Sequence, residues 1–158
     1  MQMIRVILMI LMMSMCSLIS THYTVYYVPH PDDEVLFMGE DIVQQDNAVL
    51  VLLTQGGASK ARDIINAKLD KPLSVDEFKA ARVREFEYAA ELLDAKKTYI
   101  YDLPDGGVTT EAVLEIIENM EQKYSGATHK TLSYTDWHPD HKASGDALRT
   151  AHRQGIVS

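Results

Sequence analysis

Tyr23-Thr24-Val25-Tyr26-Tyr27-Val28-Pro29-His30-Pro31-Asp32-Asp33-Glu34 contains the handover on which the fold turns. Its opening run is β-branched and aromatic, the composition of a strand, and Pro29 stops it. From Asp33 the apolar period changes. Val35, Met38 and Ile42 fall at helical spacing, which predicts a helix over 33–46. A strand therefore passes into a helix with His30, Asp32 and Asp33 at the junction.

The same handover recurs along the chain. Val49-Leu50-Val51-Leu52-Leu53 is a continuous apolar run, as expected of a strand buried on both faces, and Gly56-Gly57 ends it. Residues 58–73 are polar and aperiodic and read as a surface loop. Ser74 with Glu77 makes a capping box, opening a helix that runs to about Leu93 with Phe78, Phe86, Ala89 and Leu93 on its apolar stripe. Thr98-Tyr99-Ile100-Tyr101 is a third strand, closed by the turn Leu103-Pro104-Asp105-Gly106-Gly107. Val113, Ile116, Ile117, Met120 and Tyr124 mark the next helix. Lys130 to Tyr134 is expected as a fourth, weaker strand, and Ala143, Ala147, Leu148 and Ala151 mark a last helix. This repeated alternation argues for an α/β fold, with an open, mainly parallel sheet and helices on both faces.

The chain has 158 residues, 46% of them apolar, which suits one domain with its own core. A net charge of −8 repels phosphate backbones, so nucleic acid is not an expected partner. Residues 1–20 stand apart: they hold six of the eight Met, the only Cys, one basic residue (Arg5) and no acid. A basic start, an apolar run and then Ser14, Cys16, Ser17 and Ser20 resemble a secretory signal. A short membrane anchor through residues 4–19 is the alternative, although about 20 apolar residues are needed to span a bilayer. The expectation is a secreted or periplasmic protein, touching membrane only through that segment, with residues 21–158 as the working domain. Beyond Cys16 there is no thiol, so packing rather than disulfides must hold that domain.

In open parallel sheets, sites form beyond the carboxyl ends of the strands. Those positions here carry an echo: His30-Pro31-Asp32-Asp33 after the first strand, and Asp136-Trp137-His138-Pro139-Asp140-His141 after the fourth. Proline keeps the preceding His extended and suits the first turn of a helix, where the dipole favours ionised carboxylates. Histidines and carboxylates from two such junctions, at one sheet edge, suggest a metal. His30 and Asp33 can turn to one point and His141 is a suitable third donor, a set that zinc accepts. Several residues leave two readings open. Asp140 either orients a His or caps a helix. Arg82 lies on the inward stripe of its helix, with Glu85 or a ligand as partner. Asp105 sits in a turn that favours Asp anyway. Trp137 either offers its ring to a sugar or packs in the core.

With both motifs quoted, the sequence resembles the LmbE/PIG-L-like N-deacetylases over residues 23–154. Arg82-Val83-Arg84-Glu85 and Leu103-Pro104-Asp105-Gly106 add to the likeness. The resemblance implies a Rossmann-like fold and a zinc-dependent hydrolase that removes acetyl groups from N-acetylglucosamine units. Fe2+ is an alternative metal. It implies His30, Asp33 and His141 as metal ligands and Asp32 as the general base. It implies a protonated His138 that stabilises the oxyanion and assists amine departure, and Arg82 and Asp105 as sugar contacts. Family chains continue past the helix that follows the second motif, so the C-terminal part of the family fold is expected to be lacking here. Two other readings accompany the leading one. They are an idle zinc- and sugar-binding module, and a zinc amidohydrolase acting on a non-sugar N-acyl substrate.

Overall fold

The computed structural model describes residues 22–158. The predicted leader, residues 1–20, lies outside the described residues. Four strands form one parallel sheet: β1 (Thr24–Val28), β2 (Ala48–Leu52), β3 (Lys97–Ile100) and β4 (Thr128–Lys130), in the order β3-β2-β1-β4. Among the described residues six helices accompany them: α1 (Asp33–Leu36), α2 (Gly39–Ile42), α3 (Ala61–Asn66), α4 (Val75–Leu92), α5 (Thr110–Lys123) and α6 (Pro139–Arg153). None of the described helices is long and apolar enough to cross a membrane.

The two-residue period of the strands sorts the core into two layers. Val25, Tyr27, Val49 and Val51 face Val113, Ile117 and Met120 of α5 and Ala147 and Ala151 of α6. Tyr26, Val28, Leu50 and Leu52 face Ile42 of α2 and Phe86 and Ala90 of α4. β1 and β2 are thus covered on both sides, which is why they are apolar throughout. The α4 capping box forms as read: Ser74 Oγ accepts from the Glu77 N–H, and Glu77 reaches back to the Ser74 N–H.

Three elements differ from the sequence expectation. The helix predicted over 33–46 is broken into α1 and α2 at Phe37-Met38. Gly39, a poor helix former, opens α2 just past the break, against the Glu34 carbonyl. The break turns Val35 to solvent while Met38 and Ile42 stay buried. The 58–73 loop contains α3, whose Asn66 side chain brackets Leu73, donating to its carbonyl and accepting from its N–H. The fourth strand lies at Thr128–Lys130, not 130–134. Its central residue is a histidine, so it carries no apolar signature. His129 is nevertheless buried, with Nδ1 2.8 Å from the Tyr27 hydroxyl and Nε2 2.8 Å from Glu121. Beyond Lys130 the chain leaves the sheet and presses on α6, where a Cβ at Gly145 would lie 2.3 Å from the Tyr134 nitrogen.

Asp41 of α2 links two strands to that helix layer. It accepts from Lys130 Nζ at 2.6 Å and from the Tyr26 hydroxyl at 2.6 Å. The Lys130 bond first, then the Tyr26 bond, hold the Asp41 carboxyl below its ordinary value. A lowered native pKa gives stability that is full above the unfolded carboxylate value and is lost as pH falls through the native one. Both charged side chains are partly exposed, so water screens the pair and its worth is about 1 kcal/mol or less. Asp41→Asn should therefore cost that much at neutral pH and flatten the loss of stability between about pH 5 and 2. Urea unfolding across that range checks it, and parallel curves for the two proteins would remove the assignment.

Candidate metal centre

The strand order reverses direction at β1. The chain steps from β1 outward to β2 and β3, then crosses back to place β4 on the other side of β1. Such a switch point leaves a crevice beyond the strand ends, where ligands bind in folds of this type. Both His-Pro-Asp junctions open into it. His30 follows β1 and His138 caps α6 after β4. They line one cleft of about 610 Å3, together with Asp32, Asp33, Phe37, Arg82, Asp105, Trp137 and His141. A second hollow, of about 380 Å3, opens beyond β4 and holds none of the predicted site residues.

Three donor atoms meet in this cleft. His30 Nδ1 lies 3.2 Å from Asp33 Oδ2, His141 Nε2 lies 3.2 Å from the same oxygen, and the two nitrogens are 3.3 Å apart. Their opposite ends are held from behind. His30 Nε2 is 3.0 Å from Asp140 Oδ2, and His141 Nδ1 is 3.2 Å from Asp136 Oδ2. With a metal in place of the inward proton, each ring would donate its remaining N–H outward to a carboxylate and turn a lone pair inward. Two lone pairs and a carboxylate oxygen then face one point. A tetrahedral zinc with bonds near 2.0–2.1 Å spaces its ligands by about 3.3 Å, so this triangle fits the ion in donor type and in size.

The electrostatics agree. Burial works to lower the His30 pKa. Hydrogen bonds to Asp33 and Asp140, with the charges of Asp33 and Asp105, outweigh it and raise the value to about 9. The field that gives this ring such proton affinity is one that favours a divalent cation in the proton's place. Asp140 is fully buried. Burial opposes its charge, but bonds from His30, the Gly106 N–H (2.7 Å) and the Val108 N–H (3.1 Å) hold it below its ordinary value. It therefore orients His30, and the capping alternative falls.

Around the triangle the remaining residues take different places. Asp32 has a half-exposed carboxylate, and burial, only partly offset by Arg82, raises its pKa. Its backbone sits at φ 116°, a region that non-glycine residues occupy at a cost of about 1–3 kcal/mol. Arg82 donates to the Pro31 carbonyl, to Asp32 Oδ2 (2.8 Å) and to Glu85, so its guanidinium is engaged with protein on every side named. Gly56, at φ +71°, allows the loop after β2 to pass over Pro31 and the Arg82 stem. Asp105 accepts from the Ala58 N–H at 2.7 Å, and its other oxygen lies 3.5 Å from His30 Nε2. Trp137 is 90% exposed at the mouth of the cleft, which excludes the core reading.

His138 brings a ring nitrogen within 4.8 Å of the His30 and His141 donors. Its Nδ1 accepts the Asp140 N–H at 3.3 Å as the cap of α6, so a neutral ring carries its proton on Nε2. Burial, then the charges of His30 and His141, lower its pKa. Neutral or protonated, the ring offers an Nε2–H donor at the cleft. Two residues escaped the sequence reading. Asp136 orients His141, and Glu34, 2% exposed, accepts the Asp32 N–H at 2.9 Å.

The fold is that of a group of solved structures. N,N'-diacetylchitobiose deacetylase from Pyrococcus horikoshii superposes with a TM-score of 0.67 at 24% identity, over 84% of this chain and 49% of that one. GalB, the 4-carboxy-2-hydroxymuconate hydratase of Pseudomonas putida KT2440, gives 0.68 at 18% identity, over 85% and 59%. At these identities the likeness is one of fold. Dbv21, the A40926 pseudoaglycone deacetylase, gives 0.65 at 25% identity, over 87% and 62%. The chain therefore spans about half to three-fifths of the length of these structures. A search of curated proteins gives no match. Residues 25–152 match the family described as PIG-L, GlcNAc-PI de-N-acetylase, and the chain belongs to that family.

Proposed function

We propose that this chain is a zinc-dependent amidohydrolase that removes the N-acetyl group of an N-acetylglucosamine-type sugar or glycoconjugate. The observation that carries the reading is the inward triangle of His30 Nδ1, Asp33 Oδ2 and His141 Nε2, each side 3.2–3.3 Å. Membership of the PIG-L family and the deacetylases among its structural neighbours support it. His30, Asp33 and His141 would hold the metal, with Asp140 and Asp136 fixing the two rings. Zinc, or another divalent ion such as Fe2+, supplies Lewis acidity for the amide carbonyl and lowers the pKa of water toward about 7.

The remaining steps fall to side chains. Asp32 takes the proton of the attacking water. Burial raises its pKa, which makes it a stronger base than an ordinary aspartate. His138 donates Nε2–H to the carbonyl oxygen as negative charge develops there. The leaving amine needs a proton, and the one gathered on Asp32 is available. Asp105 and Arg82 line the same cleft and bound the sugar's side of it. The leader-like residues 1–20 support export to the periplasm or the outside, with a small-molecule or glycan substrate met there.

Metal analysis of the purified full chain, together with acetate release from N,N'-diacetylchitobiose and from N-acyl amino acids, tests the reading. One zinc per chain is expected, with acetate released from the sugar, stopped by a chelator and restored by zinc. Acetate from the amino acids alone would move the substrate to another amide. Zinc and sugar binding without acetate would leave a binding module. A chain that holds no divalent metal refutes the proposal.

A further inference from the structure

Glu34 and Arg82 grip opposite ends of one peptide unit. The carbonyl of Pro31 and the N–H of Asp32 belong to the same planar group. Arg82 donates to that carbonyl, and Glu34 Oε2 accepts that N–H at 2.9 Å. The charges match the peptide dipole: a cation at its oxygen and a carboxylate at its N–H. The Asp32 φ of 116° is the rotation about the N–Cα bond leaving this plane, so the plane sets the axis about which the Asp32 side chain turns, and a hold on the carboxylate sets the angle. Arg82 adds a third grip, 2.8 Å from Asp32 Oδ2.

Glu34 is 2% exposed and cannot reach substrate. Arg82 is occupied by Pro31, Asp32 and Glu85. Left alone, an aspartate would relax toward negative φ and carry its carboxylate elsewhere. We propose that Glu34 and Arg82 are positioning residues that hold the Pro31–Asp32 peptide plane and thereby aim the Asp32 carboxylate, a role that rests on Asp32 acting as the base. Arg82 also lines the cleft, so this positioning role stands beside the sugar contact expected of it. The clamp spans β1's trailing loop and the middle of α4, so the aim of the base depends on how a distant helix packs.

Crystal structures and kinetics of the full chain, with N,N'-diacetylchitobiose as probe, test this. Glu34→Ala should keep its metal and a KM within about twofold, lose at least about tenfold in kcat, and show Asp32 at negative φ. Glu34→Gln keeps an acceptor oxygen and should restore kcat to within about threefold, with φ positive. Arg82→Gln should lower kcat with KM unchanged, and it keeps the question open to test if Glu34→Ala does not fold. Glu34→Ala with φ and kcat both unchanged overturns the proposal. So does activity lost only in proportion to metal, which would mean Glu34 acts through Asp33. A raised KM with normal kcat in Arg82→Gln returns that residue to the substrate. Should the wild type release no acetate from the probe, the enzymatic reading fails by itself, and the Asp32 conformation in the variants still decides the clamp.

Discussion

Asp32→Asn is expected to keep its metal and its fold and to lose turnover by about 10²–10⁴-fold, the usual worth of a positioned general base. The amide is nearly isosteric and cannot accept the proton of water. Its carboxylate is half exposed, and its ion pair with Arg82 lies at the surface, where such pairs contribute about 0–1 kcal/mol. Melting temperature should therefore barely change. KM should also hold, because the loss falls on the transition state rather than on binding. The wild-type rate should decline as pH falls through the Asp32 value, which burial has pushed up, and the variant should lose that limb. Parallel measurement of metal content, kcat and its pH dependence decides the matter. A variant within tenfold of the wild type removes Asp32 from the chemistry.

The second large effect is expected behind the ligands. Asp140→Asn should weaken zinc binding by about 10–100-fold, the typical consequence of disturbing the partner of a ligating histidine. Three donors converge on this buried carboxylate: His30 Nε2 at 3.0 Å, Gly106 N–H at 2.7 Å and Val108 N–H at 3.1 Å. Asparagine brings one acceptor oxygen and one NH2, so at least one donor must face another donor. An unsatisfied buried group costs about 1–3 kcal/mol. For a chain of this size, that lowers the melting temperature by about 2–4 °C per kcal/mol. Zinc titration calorimetry and thermal unfolding read the two effects separately. Unchanged values in both would show that His30 needs no partner.

Much of this was legible in the residues themselves. β1 and β2 show because burial on both faces leaves them uninterruptedly apolar, and Pro31 and Pro139 mark the two junctions, after β1 and after β4, where chemistry-bearing residues leave the sheet. His30, Asp33 and His141 were predictable for that reason, and the structure brings them together. What sequence missed depends on partners far along the chain. β4 hides behind a histidine that is buried only because Tyr27 and Glu121 satisfy both its nitrogens. The break between α1 and α2 falls at Phe37-Met38, which the helical spacing of Val35, Met38 and Ile42 does not mark. Asp136 sits beside the motif, yet no periodicity pairs it with a histidine on the following helix. Glu34 was part of the quoted stretch, and its task became visible only with the orientation of one amide plane.

Asp140 Oδ2 takes both His30 and the Gly106 N–H, and Oδ1 takes the Val108 N–H, so the segments trailing three different strands are knotted at a single point. An ion seated at that knot would fasten the two flanks of the sheet to each other, and its binding energy would count toward folding. Heat tolerance of this small domain would then track the free zinc around it. In a compartment poor in that ion the molecule would be both idle and fragile, so that scarcity of a nutrient metal would thin its numbers as well as silence it.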